Sequence, residues 1–376
     1  MKPNLIDKLI QDTGTGNIAR SLSEMPGTDL TTLLMGVLSR RTSALTPSAI
    51  EAQYRKNRLV IPCPVDQRIL VQADAIAYKT LDPKFKGIEL SPVAPLGVNV
   101  ALGGVNQKNV LGTVRNCEVL ADPTTALTLA CAQRRKTLLE NDPRNKESVS
   151  FSTSARCMRL QRFDDIPGFV PHFKIFALAT AGRDVGSEWF EIESMRDHVQ
   201  FYLRYLSGLQ SDGYDLRDIH VALSDVRMMR AVVAHHELDS AEIGRYVQVH
   251  GSSVFTRHET DCPRHVQKAD DIPTTFVEKY GVGNAARLLS KLDEHIFAPL
   301  REKNPGVTFS IDLDRAAGMH YYTNACIKIS ASTKNGDSYP LVDGGFADWT
   351  QKILQSRKER LFTSGIGTEL ILSNFT

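Results

Sequence analysis

Residues 151–184, FSTSARCMRLQRFDDIPGFVPHFKIFALATAGRD, read as strand, loop, strand. Cys157, Arg159 and Gln161 alternate with Met158 and Leu160, which places the Arg159 guanidinium on one face of the first strand. Asp164, Asp165 and the Pro167-Gly168 dipeptide mark an exposed loop tip. His172 and Phe176 open the return strand, to which Phe173, Ile175 and Leu178 bring β-favouring side chains. A guanidinium, an imidazole and an aromatic plane around one groove suit a nucleotide: charge for a phosphate, a flat surface for a base. The competing reading is an ordinary hairpin with an ion pair between Arg162 and Asp164 or Asp165, because such local pairs are common and weak.

Composition sets the frame around this hairpin. A chain of 376 residues with 42% hydrophobic content can bury a large core plus an extension or insertion. No apolar run approaches the roughly 20 residues of a membrane span, and the N-terminus lacks a signal-peptide stretch, so a cytoplasmic protein with no membrane partner is expected. The six cysteines follow no framework spacing, as expected of reduced thiols. A net charge of +2 is far from that of a dedicated nucleic-acid binder.

Residues 1–60 read as a helical extension, from the spacing of Leu5, Ile6, Leu9 and Ile10 and a second apolar run from Leu30 to Leu38. Its basic runs, Arg40-Arg41 and 55–58, read as solvated helix faces. Residues 61–376 form the expected core. Within it, Ile69, Ala73, Ile76 and Ala77 make a helical stripe in 64–83, and 87–92 is a short strand stopped by Pro92. Gly103-Gly104 reads as a hairpin turn rather than a phosphate loop, lacking the spacing of one. Asp122 precedes Pro123 and a helical run, the pattern of an N-cap. Residues 185–300 alternate helical and strand-like stretches, with a modest insertion around 225–280. His258, Cys262 and His265 have a spacing that offers metal ligands; with no fourth ligand they read as surface polar residues rather than a zinc site.

The hairpin, with Arg159-Leu160-Gln161 before the loop and His172 and Phe176 after it, resembles motif 2 of class II aminoacyl-tRNA synthetases, most like the histidyl-tRNA synthetase branch. The helix and strand of 64–92 resemble motif 1, and Gly365-Ile366-Gly367-Thr368-Glu369-Leu370 resembles motif 3. Ala317-Gly318-Met319-His320-Tyr321-Tyr322-Thr323 and Gly344-Gly345-Phe346-Ala347-Asp348 are similar to two histidine-site signatures of that branch. The departures are specific: Gln161 stands for a glutamate, Pro123 for a glutamate, Ala317 for a catalytic arginine, and Leu370 for the motif 3 arginine. Arg315, Arg357 and Arg360 are candidates to compensate. Pro123, Leu178, Gly182 and Ala317, in place of polar residues, imply a less polar or differently shaped acid than histidine.

The resemblance implies an α+β fold, a six- or seven-stranded, mainly antiparallel sheet flanked by helices, dimerised through 64–92. It implies ATP and Mg2+ as cofactors, with Arg159, His172 and Arg315 catalytic and Arg159, Gln161, His172, Phe176 and Glu369 holding ATP. Asp343 and Glu369 are the nominated metal ligands, and Thr125, Tyr321, Tyr322, Gly344 and Gly345 face a small-molecule carboxylate substrate. With no anticodon-binding domain after motif 3, tRNA is not an expected partner. Two functional readings follow from the resemblance. One is a tRNA-independent ligase that activates a carboxylate as its adenylate. The other is a silent paralogue resembling the regulatory subunit of ATP phosphoribosyltransferase.

Overall fold

A computed structural model describes residues 16–161, 170–239, 243, 254 and 262–376. The expected hairpin forms from β4 (Val149–Met158) and β5 (His172–Arg183). Its loop residues Arg162, Asp164, Asp165, Pro167 and Gly168 lie outside the described residues, as do Leu5, Ile6, Leu9, Ile10 and His258. Around the hairpin are β1 (Lys86–Gly87), β6 (Arg217–Asp225), β7 (His265–Val266), β8 (Thr308–Asp312), β9 (Ala325–Ser332), β10 (Ser338–Phe346) and β11 (Glu359–Gly367). Among the described residues these make one nine-stranded sheet in the order β1-β4-β5-β11-β10-β9-β6-β8-β7. The strand pairings are antiparallel except β1 with β4 and β6 with β8. Nine strands rather than six or seven is a correction with a simple cause: β1 and β7 have two residues each, too few to show any periodicity.

Alternation along β5 fixes the two layers. Phe176 and Leu178 face the core beneath helix Trp189–Ser211, which buries Met195, Val199, Tyr202, Tyr205 and Leu206. Ala177, Ala179 and Ala181 face the other way, against Leu127 and Cys131 of helix Pro123–Asn141. Small side chains on that face let the helix approach closely, and bulky ones on the opposite face fill the larger core. Asp122 caps helix Pro123–Asn141, its Oδ1 accepting from the Thr124 N–H at 2.9 Å.

Two further expectations are corrected. Gly103 and Gly104 are not a hairpin turn; they close the short helix Val98–Ala101, with the Gly104 N–H donating to the Val100 carbonyl. The hairpin there is instead β2 (Val93–Pro95) with β3 (Cys117–Val119), a separate pair. In the N-terminal region, helices Ile18–Glu24, Gly27–Thr42 and Pro47–Lys56 bury no residue. They touch the rest of the chain through bonds such as Thr31 Oγ1 to the Val114 carbonyl at 2.9 Å. Among the described residues no helix is long and apolar enough to cross a membrane.

Candidate functional site

A cavity of about 540 Å³ opens over the face of the sheet that carries Phe173 and Ile175. Arg159 enters it from just beyond the end of β4, not from within the strand, and its N–H still bonds the Pro171 carbonyl at 2.8 Å. Its side chain is about 31% exposed. Nε donates to the Ala121 carbonyl at 3.0 Å and Nη2 to Asp122 Oδ2 at 3.3 Å. The guanidinium also lies over the Phe173 ring, 5.3 Å from its centroid, a favourable cation–π placement. Gln161 lines the same cavity.

The hairpin register overturns two ATP-site expectations. Phe173 pairs with Cys157, and His172 with Met158, so Phe173 shares the Arg159 face while His172 and Phe176 take the other. Phe176 is fully buried, stacked with Phe201 at 5.2 Å and edge-on to Tyr78 at 5.1 Å. It is a core residue, and Phe173 is the aromatic of the cavity. His172 lines a different hollow, with Cys63, Arg156 and Lys174. There His172 Nδ1 accepts from Arg156 Nη1 at 3.1 Å, and Nε2 donates to the Ile61 carbonyl at 2.5 Å. Glu369 belongs to that side too: it is buried and accepts from Arg156 Nη2 at 2.5 Å.

The floor of the cavity comes from β10, β11 and the turn before β9. Asp343 lines it with a side chain about 45% exposed, gripped from behind by two donors. Arg315 Nη2 donates to Oδ2 at 2.6 Å and the Tyr322 hydroxyl donates to Oδ1. Arg315 is buried and does not reach the cavity. Its remaining nitrogens donate to the carbonyls of Ala317 and Ile327, each at 3.0 Å. It therefore positions Asp343 rather than acting on a ligand, which corrects its expected catalytic role. Burial opposes the charge of Arg315, yet the Asp343 carboxylate and other acidic groups beside it hold its pKa above the usual value. Burial first, then Asp343, pushes the Tyr322 phenol well up, so it stays a neutral donor.

Tyr321 and Thr125 line the cavity as well. Thr125 is tied down, its single hydroxyl hydrogen shared between the Asp122 carbonyl at 2.8 Å and Asn99 Oδ1 at 3.2 Å. Gly344 and Gly345 contribute by what they omit. A Cβ on Gly345 would sit 2.6 Å from the Tyr322 ring, and one on Gly344 would sit 2.5 Å from Ser364 Cβ. Gly345 thus lets Tyr322 pack flat on β10 and reach Asp343.

Magnesium does not fit the nominated pair. Asp343 lies in this cavity, whereas Glu369 is buried with Arg156 beside the other hollow, so the two cannot share one ion. Among the described residues no three candidate ligands converge on one point. Nor do Arg357 and Arg360 supply a second arginine to this cavity. They line a separate one with Glu191 and Asp348, where Arg360 Nε donates to Glu191 at 3.2 Å. Pro123, Leu178, Gly182 and Ala317 do not line the cavity either; its walls mix polar residues such as Asp122, Thr125, Gln161 and Asp343 with apolar ones such as Phe173, Ile175 and Trp349.

Sequence reasoning missed Phe173, Asp122 as the partner of Arg159, and the clamp on Asp343. Phe173 was readable in principle, since it is one residue from His172 and alternation assigns the two to opposite faces.

No protein-family model matches the chain, and no curated protein matches it by sequence. Solved structures do. A protein of Bacillus halodurans C described as an ATP phosphoribosyltransferase regulatory subunit/histidyl-tRNA synthetase matches with a TM-score of 0.56 and 14% identity, covering 83% of this chain and 80% of its own. A histidine–tRNA ligase subunit of Alicyclobacillus acidocaldarius matches at 0.56 and 12%, covering 83% and 94%. Histidyl-tRNA synthetase of Nostoc sp. PCC 7120 matches at 0.57 and 15%, covering 84% and 74%. With the mostly antiparallel sheet and its flanking helices, these likenesses give the chain the fold of a class II aminoacyl-tRNA synthetase catalytic core, of the histidyl-tRNA synthetase-like kind.

Proposed function

We propose that the chain activates a carboxylic acid with ATP, the cavity at Arg159 being the reaction site. The observation that carries this reading is a guanidinium, about 31% exposed, held against an aromatic ring in a cavity that Asp122, Gln161 and Asp343 also line. Among the described residues Arg159 Nη1 makes no hydrogen bond, which leaves it to an anion. A substrate carboxylate oxygen would attack the α-phosphorus of ATP, forming the acyl adenylate and releasing pyrophosphate. Arg159 would stabilise charge gathering on the phosphoryl oxygens, and Phe173 would offer a face to the base. No step is assigned to a metal, because the acidic residues do not converge. Self-association through 64–92 belongs to the same proposal. Helix Gln67–Thr80 buries Leu70, Ala73 and Ala77 but leaves Ile69 at 42%, Val71 at 58% and Tyr78 at 43% exposure.

A second reading, a binding-only regulatory subunit, is favoured by one observation. Leu370 stands at the motif 3 position, and Arg357 and Arg360 line a different cavity, so Arg159 has no second arginine opposite it among the described residues. Pyrophosphate release over a panel of carboxylic acids, beside calorimetry with ATP, decides between them. Turnover establishes activation; ligand binding with no turnover on any acid establishes the regulatory reading.

A further inference from the structure

We propose that Asp343 makes this cavity selective for an acid carrying a cationic side group, a protonated amine or guanidinium, which binds the clamped carboxylate. The inference rests on the carboxylate-activation reading above and names its substrate class.

Asp343 is the more exposed of the two carboxylates in the cavity, at about 45% against about 31% for Asp122. Each of its oxygens accepts one bond from behind, which leaves acceptor capacity on the cavity side. The clamp is elaborate for a surface aspartate. It uses a buried arginine with all three nitrogens bonded, a buried tyrosine, and a glycine at 345 that makes room for the tyrosine. Burying such a charge is costly unless the geometry is well satisfied. What the arrangement yields is a carboxylate held in one place on the cavity wall.

Position separates Asp343 from the reacting end. The sheet order is β4-β5-β11-β10, which puts three strand spacings, roughly 14 Å, between Asp343 and β4, and the register sets Asp343 level with Thr153, six residues before Arg159. An α-amine sits one carbon from its own carboxylate and stays beside whatever holds that carboxylate. Asp122 is the acid in contact with Arg159, and serves that end. A cation on Asp343 must therefore be carried several bonds away, on the side chain. Tyr321, which also lines the cavity, is raised in pKa by burial and then by Asp343, with a smaller effect from Asp122.

The test uses the full chain and matched ligand pairs: lysine against norleucine, and arginine against citrulline. Direct calorimetry without nucleotide reads the preference. The cationic member should bind on the order of 10–100-fold more tightly, the range of a charge-assisted hydrogen bond. Asp343→Asn should level each pair, and Asp343→Glu should keep part of the preference. Equal binding within both pairs, binding of no cationic acid, or a preference untouched by Asp343→Asn overturns the inference. Should Asp343→Asn not fold, the wild-type ligand pairs still decide. Failure of ATP to bind removes carboxylate activation alone, since the side-group preference is measured without it.

Discussion

Phe173 and Phe176 are three residues apart on one strand and face opposite ways, so truncating each separates nucleotide binding from core stability. Phe176 has no exposed surface and is surrounded by rings: Tyr78 at 5.1 Å, Phe201 at 5.2 Å and Tyr205 at 6.3 Å between centroids. Phe176→Ala removes a whole ring from a packed core, and such changes cost about 3–5 kcal/mol. That is a large share of the roughly 5–15 kcal/mol that holds a domain folded. Phe173 instead lines the cavity beside Arg159. Losing a stacking surface for a base costs about 1–3 kcal/mol, which is a rise of roughly 5- to 150-fold in the ATP dissociation constant. The assay is a pair of urea denaturation curves and a pair of ATP titrations by calorimetry, each against wild type. Phe173→Ala should shift the titration more than the curve, and Phe176→Ala the curve more than the titration. If Phe176→Ala weakens ATP as much as Phe173→Ala does while its urea midpoint stays at the wild-type value, the face assignment is wrong.

Arg159→Ala should lower pyrophosphate release on the order of 10²–10³-fold, the cost of losing a transition-state stabiliser, with a smaller change in ATP affinity; equal losses in both would mark Arg159 as a binding residue only. Burial holds the pKa of His198 well below its ordinary 6.5, with Lys84 adding to the effect, while Ser364 and Thr180 bond its two nitrogens at 2.7 and 3.0 Å. A depressed folded-state pKa means the unfolded chain takes the proton first, so this contribution is complete above pH ~6.5 and is lost as pH falls below it. Urea midpoints at pH 7.5 and 5.5 should differ more for wild type than for His198→Gln, and equal differences would exclude the effect. Gly345→Ala should displace Tyr322 and cost about 1–3 kcal/mol by overpacking, read as a lower urea midpoint; an unchanged midpoint would mean the ring can move aside freely. Sedimentation equilibrium at micromolar concentration should give a dimer that Val71→Glu dissociates, and a monomeric wild type would remove the proposed self-association.

The sequence by itself determined the segments whose signal is local. The hairpin within 151–184 and the cap at Asp122 follow from alternation, helical spacing and turn residues, while the α+β class came from the resemblance to class II synthetases. These local signals depend on neighbours a few positions away, which a single chain displays. Tertiary structure decided what lies opposite what. The register across an unread loop placed Phe173, not Phe176, beside Arg159, because a one-residue slip exchanges the faces of a strand. Glu369 and Asp343 are both acidic and both near glycine-rich strands, yet one is buried with Arg156 and the other is exposed in the cavity. Arg315 looked like a free guanidinium because two of its three partners lie 12 residues (the Ile327 carbonyl) and 28 residues (Asp343) further along the chain. Whether a charged side chain acts on a ligand or holds another residue in place depends on contacts between strands distant in sequence. No spacing in the chain encodes those contacts, and the folded sheet sets them.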